Sequence, residues 1–354
     1  MPLYLCVDCG GSKAAAVIAD ETGQPAARAL GGPSNFAYLG LEPFIEVVKE
    51  TVEKALKALD SPLTLPPPHG QPYLAAAWLG VSGCDSPQAI ADMTPPLEAL
   101  LGVRPRVAND THLLAAPMTL YPDVTGAVAV VAGTGGIVVS FCEAIHKETG
   151  EKEGLEELGR CGGWGWILGD EGGGFHVGRE AIRQVLDEVD RASTISSSGK
   201  PWGLKQRILA RFDVTDVYEL LTVVHKPDPT PAELPMAAMP REKRLSSLSP
   251  LVFAAAFEDG DPLALNVLKT ASSALVDQIC VLLRAAAEDR SAGGDRRIRA
   301  AESIMCMGGS LSGVDSYRKL IVDELAQRGH VFRRMQVVDD AAAVGAKALT
   351  VIRT

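Results

Sequence analysis

Three short glycine-bearing turns and one acidic dipeptide carry most of the chemistry this sequence offers. The first turn, Asp8-Cys9-Gly10-Gly11-Ser12-Lys13, follows the apolar run LYLCV. Paired glycines let backbone N–H groups reach phosphate oxygens, while Ser12 and Lys13 add a hydroxyl and a positive charge. Asp8, at the end of the run, could orient a hydrated magnesium ion. A plain hairpin accounts for the two glycines equally well. The turn is not a Walker A loop, since GxxxxGK[ST] is absent, and it lacks the GxGxxG of dinucleotide-binding folds. The second turn, Gly133-Thr134-Gly135-Gly136, has the same logic: a strand delivers a hydroxyl and free N–H groups to one point. In the third, Gly308-Gly309-Ser310, small residues could admit a purine and ribose, or simply join a strand to a helix. Asn109-Asp110 closes the run VRPRVAND. A carboxylate there could take the proton of a hydroxyl that attacks phosphorus, and it could equally cap the helix that starts near Thr111.

A fourth stretch is of a different kind. Residues 159–174 read GRCGGWGWILGDEGGG, in which eight of sixteen residues are glycine. Linkers rich in Gly and Ser avoid Trp, so the composition indicates a structured surface. Trp164 and Trp166 offer flat apolar faces, Asp170 and Glu171 accept hydrogen bonds, and the glycines let backbone come close. That combination suits a polyhydroxylated ring.

The elements that must position these residues can be read from hydrophobic periodicity. Strand, glycine turn, strand occurs at 3–19 and again at 126–142, a weak internal repeat that points to two related α/β domains with a cleft between them. Residues 26–31 add a third strand. Residues 42–59 carry apolar side chains at helical spacing, from Phe44 and Val48 to Val52 and Leu56. The proline-rich run 61–72 predicts a surface loop. Further strands are expected at 73–83 and 103–110, with a proline-interrupted helix between them and a helix from Thr111. The stretch 151–158 predicts a charged turn, 176–190 a helix and 191–201 a loop. The proline-rich run 225–244 predicts a long excursion, and 263–289 a long helix. A strand at 303–307 enters the third turn. A helix over SYRKLIVDELAQRG, a short strand at QVV and a last helix at 339–353 complete the chain.

The chain has 354 residues, of which 47% are hydrophobic, and a net charge of −10. This length suits two domains with sizeable cores. The negative balance argues against general nucleic-acid binding. No apolar run reaches the roughly 18 residues a membrane helix needs, and the N-terminus lacks the pattern of a secretory signal. The seven cysteines are scattered, and Cys6/Cys9 has no second pair to complete a zinc site. A cytoplasmic protein with reduced thiols is therefore expected, with no membrane and no nucleic-acid partner.

In order, these parts resemble the actin/Hsp70/sugar-kinase superfamily, and within it the N-acetylglucosamine kinases and the BadF/BadG/BcrA/BcrD ATPase family. The resemblance is carried by VDCGGSK (7–13), PSNF (33–36), ANDTHLLAAP (108–117), VAGTGG (131–136), CGGWGWILGDEGG (161–173) and MCMGGS (305–310). It implies two actin-like, ribonuclease H-like α/β domains around a nucleotide and sugar cleft: 1–116 with 340–354, and 117–339. It implies ATP and Mg²⁺ as cofactors, a small sugar as substrate, phosphorylation of the sugar 6-hydroxyl, and a homodimer. By the same resemblance Asp110 matches the catalytic base. Asn35, Gly135, Gly136, Gly163, Trp164, Gly165 and Asp170 match sugar-lining positions. Gly10, Gly11, Ser12, Lys13, Gly133, Thr134, Gly308 and Gly309 match ATP-binding positions, and Asp8 matches an acid that holds magnesium through water. Cys9 and Ser12 stand where relatives often have Gly and Thr, and Ile137 where the kinases tend to have a polar residue. An iron–sulfur ATPase activator of the same fold is disfavoured, because Cys161 has no partner cysteine in its block. A non-catalytic sugar or ATP sensor on this scaffold is the remaining alternative.

Overall fold

A computed structural model describes residues 2–68, 72–145, 152–194, 203–229, 239–285, 288 and 294–352. Ten strands form two five-stranded sheets. The first contains β1 (Leu3–Cys9), β2 (Ala14–Ala19), β3 (Pro25–Gly31), β4 (Leu74–Val81) and β5 (Arg106–Ala108), in the order β3-β2-β1-β4-β5. The second contains β6 (Gly126–Ala132), β7 (Gly136–Ile145), β8 (Lys152–Gly162), β9 (Ser303–Gly308) and β10 (Arg334–Val337), in the order β8-β7-β6-β9-β10. In each sheet the first three strands in chain order pair antiparallel, and the last two add in parallel. The two sheets therefore repeat one topology, as the strand–turn–strand repeat in the sequence predicts.

Strand alternation shares the apolar residues between three cores. On β1, Leu5 and Val7 pack outward with Phe44, Val48 and Val52 of the amphipathic helix Leu41–Lys57. Cys6 points to the opposite face, into a middle core with Trp78, Leu113, Phe141, Ala342 and Ala346. On β6, Val128 and Val130 face an outer core of helices, and Ala127 and Ala129 face the middle one. Strands buried on both faces read as continuous apolar runs, which is why these were legible. Side chains alternate with period two, so Asp8 shares the face of Cys6 and is directed toward the second sheet.

Four local expectations are corrected. Residues 152–158 belong to the edge strand β8, paired with β7 from Ile137↔Gly162 to Ile145↔Lys152, and not to a charged turn. The helix expected through 289 ends at Val281. Leu283 then bridges Ile298, whose carbonyl accepts from Arg284 N–H at 2.8 Å, so sheet-like pairing overrides helical propensity. The helix Pro87–Leu101 runs unbroken through Pro95-Pro96. The two carbonyls these prolines leave unpaired belong to Ala91 and Asp92, both exposed, where water can satisfy them. The strand expected over 103–110 is only three residues long. The loop expected over 191–201 and the excursion over 225–244 fall partly outside the described residues.

The final helix, Ala341–Leu349, packs in the middle core against β1 and the short helix Thr111–Ala115. At Gly345 a Cβ would lie 2.5 Å from Cys6 Sγ and 2.9 Å from Leu113 Cδ2. Overpacking there has a cost of about 1–3 kcal/mol. Gly345→Val should lower the urea midpoint accordingly with an unchanged slope; an unaltered midpoint would show that this contact does not set the helix position.

Candidate functional site

The C-terminal ends of the parallel strands β1, β4 and β5 lie side by side, with Asp8 opposite Gly80 and Gly80 opposite Ala108. In open α/β sheets this edge is where ligands bind. Asp8 therefore sits beside the loop that follows β4 and beside Asn109-Asp110, which follow β5. Backbone bonds lock the three ends together: Ser82 N–H donates to Cys9 O at 2.9 Å, and Phe36 N–H to Ser82 O at 2.9 Å.

Asp110 occupies the N-cap position of helix Thr111–Ala115, yet its carboxylate does not cap it. Asn109 does that work: its Oδ1 accepts from Thr111 N–H at 3.0 Å and from Thr111 Oγ1 at 2.8 Å. The Asp110 carboxylate is left for other chemistry. Its pKa is set chiefly by burial, then by the negative charges of Asp8 and Asp85; together these push it up to about 6, against smaller opposing hydrogen-bond effects from the Thr111 backbone and the Ser82 side chain. Asp8 is likewise pushed up to about 6, mostly by burial, with Lys13 opposing and Asp340 reinforcing the shift. Ser82 also accepts from Asn35 Nδ2 at 3.1 Å, while Asn35 Oδ1 caps its own short helix at Tyr38 N–H. Asn35, Ser82, Asp110 and Asp8 thus form one polar group in the first half of the molecule.

Around the first turn, Gly10 N–H is taken by Lys13 O at 3.0 Å, and Ser34 N–H binds Gly10 O at 3.0 Å. Gly11, Ser12 and Lys13 are exposed. At Gly11 a Cβ would meet nothing within 4 Å, so the fold itself does not demand glycine there.

The second and third turns are brought into contact by the parallel pairing of β6 and β9, which ends at Val131↔Gly308. Gly309 has φ +90, and a Cβ there would lie 2.5 Å from Ala132 O. Only glycine fits both the left-handed conformation and the approach. The amides of the second turn are less free than the sequence implied. Gly133 N–H binds Gly135 O at 3.0 Å, and Gly136 N–H binds Asp170 Oδ1 at 3.3 Å. The carbonyls of Gly133 and Thr134 accept from Gly174 and Phe175 N–H, at the start of helix Gly174–Thr194. Thr134 Oγ1 stays exposed and faces Lys243 Nζ at 3.5 Å, across a cleft that Ser246, Ser249 and Ser310 also line.

The glycine-rich stretch divides in two. Gly159–Gly162 are the end of strand β8 and pair with β7. Beyond it, Gly163 leads to Trp164 at the N-cap of the short helix Gly165–Leu168, and Asp170 follows that helix. Trp164 is 68% exposed, so its ring is open to solvent. Asp170 has φ 63 and lies against Gly135 and Gly136, where Cβ atoms would meet its carboxylate and the Glu171 carbonyl. Burial raises its pKa. The loop is clamped from behind: buried Tyr317 donates to Gly172 O at 2.8 Å, and Glu171 holds both His176 at 2.8 Å and Arg179 at 3.1 Å.

The structure accordingly groups Asn35 with Asp110 and Asp8, groups Gly135 and Gly136 with Asp170, and sets Gly133 and Thr134 beside Gly308 and Gly309. It adds Ser82 and Asp85 from the loop after β4, Arg160 from β8 and Lys243 from the helix Arg241–Ser246. All seven cysteines are free. Among the described residues no cluster of three or more His, Cys, Asp or Glu is arranged to hold a metal, and no helix is long and apolar enough to cross a membrane.

A carboxyl whose pKa rises on folding stabilises the fold while protonated, and that contribution is lost as pH climbs from about 4 to about 6. The wild type should therefore lose stability across that window. Asp110→Asn should gain on the order of 1–3 kcal/mol over wild type at pH 8, with little difference at pH 4. Chemical denaturation at both pH values measures this; an Asn variant less stable than wild type at pH 8 would contradict it.

A model of the BadF/BadG/BcrA/BcrD ATPase family matches residues 5–349. The N-acetyl-D-glucosamine kinase of Dictyostelium discoideum is 26% identical over 279 residues, 78% of this chain and 78% of that protein. The N-acetylmuramic acid/N-acetylglucosamine kinase of Clostridium acetobutylicum is 25% identical over 278 residues, 78% of this chain and 77% of that protein. Among solved structures, a candidate N-acetylglucosamine kinase from Porphyromonas gingivalis shares the fold, with a TM-score of 0.63 over 99% of both chains at 18% identity. With two sheets of one topology, a cleft edged by glycine turns, and a match that spans nearly the whole sequence, the chain belongs to the BadF/BadG/BcrA/BcrD ATPase family.

Proposed function

We propose that the chain is an ATP-dependent sugar kinase that transfers the γ-phosphoryl group to the 6-hydroxyl of N-acetylglucosamine or a close amino sugar. The observation that carries this reading is the Asp110 carboxylate. It is released from helix capping by Asn109, partly buried, and held near the operating range of a general base. The names and coverage of the two curated relatives support the substrate class.

In this reading the sugar lies between Asn35 and Asp110 on one side and Gly136, Gly163, Trp164 and Asp170 on the other. ATP phosphates run along Gly10–Lys13 and Gly133–Thr134, with Lys243 and the Gly308-Gly309 turn toward the nucleoside. Asp110 accepts the 6-hydroxyl proton. The sugar oxygen forms a bond to the γ-phosphorus, the bond from that phosphorus to the β–γ bridging oxygen breaks, and ADP leaves. The halves 1–116 with 340–354 and 117–339 would close to exclude water, so that the sugar hydroxyl and not solvent attacks.

The residues present suit magnesium. Asp8 carries a negative charge that raises the pKa of Asp110, and the charge of Asp340 raises that of Asp8; Mg²⁺ typically takes one or two carboxylates with waters and phosphate oxygens and no closed protein cage. Asp8 would hold it through water; when bound, the ion offsets the charge of the phosphates. Free, largely buried thiols fit a reducing cytoplasm, and we extend the proposal to a cytoplasmic homodimer.

ADP release should depend on an amino sugar in a panel that contains N-acetylglucosamine, N-acetylmuramic acid, glucosamine, N-acetylmannosamine and glucose. Asp110→Asn should lower kcat by about 10²–10⁴ with sugar affinity kept within a few-fold. Near-normal turnover would remove Asp110 from the mechanism. Sugar binding without any ADP release by the wild type would make the chain a sensor.

A further inference from the structure

Arg160 lies on β8, in the second half of the molecule, and makes three contacts there and across the cleft. Its Nη2 donates to Gly163 O at 3.2 Å, and its guanidinium carbon stands 5.6 Å from the centre of the Trp164 ring. Its Nη1 reaches the first half and donates to Asp85 Oδ1 at 2.8 Å. The same Asp85 oxygen accepts from Asn109 Nδ2 at 3.1 Å, and Asn109 Oδ1 caps Thr111 next to Asp110. A cavity of about 300 Å³ lies beneath this bridge, lined by residues of both halves, among them Cys84, Ile90, His112, Ile137 and Val139. Beside it a second cross-cleft pair, His112 with Glu157, stands at 3.8 Å.

We propose that Arg160 is a positioning residue: through Asp85 and Asn109 it couples the placement of the Gly163–Trp164 loop to the orientation of Asp110. This rests on the sugar-kinase reading above. The chain of contacts is continuous. If the loop moves outward, Arg160 leaves Asp85, and Asn109 loses the neighbour that fixes its amide. Asn109 must keep its amide oxygen on Thr111 for Asp110 to remain uncapped. A planar guanidinium suits the task, because its fork can hold a carbonyl, an aromatic face and a carboxylate together. Asp85 is half exposed, so the pair contributes little to global stability; its effect falls on geometry.

The test is a charge swap, with steady-state kinetics for N-acetylglucosamine and ATP and a melting temperature for each protein. Arg160→Glu and Asp85→Arg should each lower sugar kcat/KM about three- to tenfold, with ATP KM and melting temperature nearly unchanged. The double variant should lose little more than the worse single variant, since either substitution alone already breaks the path from Gly163 through Asp85 to Asn109. Arg160→Gln, which removes charge without reversing it, should give a smaller loss and guards against misfolding of the reversed variants. Independent, multiplying losses in the double variant would overturn the coupling, as would single variants that match wild type. A wild type with no sugar-dependent ADP release would instead overturn the sugar-kinase reading, and this proposal with it.

Discussion

Two carboxyl groups, Asp8 near the end of β1 and Asp110 just beyond β5, flank the end of β4 in a partly dry cleft, where burial favours the proton on each and the charge of Asp8 adds to the effect at Asp110. Much of the molecule can be understood as what is needed to keep them there. Burial and like charge would ordinarily drive such groups apart or toward a proton. The strand ends prevent the first, because β1, β4 and β5 are fixed in register and the loop after β4 is bonded back to Cys9 and forward to Phe36. The second leaves the pair near its titration point, which is the condition a proton acceptor needs.

The second half supplies the complementary surface by repeating the same sheet. Its two turns, at 133–136 and 308–310, are neighbours because β6 and β9 are parallel neighbours, as β1 and β4 are in the first sheet. The middle core, with Cys6, Leu113, Phe141 and Ala346 in one cluster, joins the sheets beneath the cleft. Above it the halves meet through polar contacts such as Arg160 with Asp85. An apolar base thus lies beneath a polar mouth.

The sequence made the doubled architecture legible because its central strands are buried on both faces and leave long apolar runs ended by glycine. It hid β8, because that strand lies at a sheet edge and carries charged residues such as Glu156, Glu157 and Arg160, a pattern that reads as a turn. The end of the helix at Val281 was hidden for another reason: Leu282 and Leu283 continue the helical composition but are captured by Ile298. At the site, Asp110 stood at the end of a strand-like run and Asp170 within a glycine-rich stretch, so both could be singled out. Ser82, Asp85 and Lys243 could not, since their neighbours at the cleft lie tens of residues away in sequence. The role of Asn109 was half visible: the dipeptide stood out, but which residue capped the helix depended on side-chain direction.

The central claim is that burial pushes the pKa of Asp110 up to about 6 and that turnover requires its ionised form. The most direct measurement is the pH dependence of kcat/KM for the sugar from pH 4.5 to 9 at saturating magnesium and ATP. A plateau above neutrality is expected, with an acid limb as Asp110, pushed up to about 6 by burial, takes up its proton. A profile that stays flat down to pH 4.5 would contradict it.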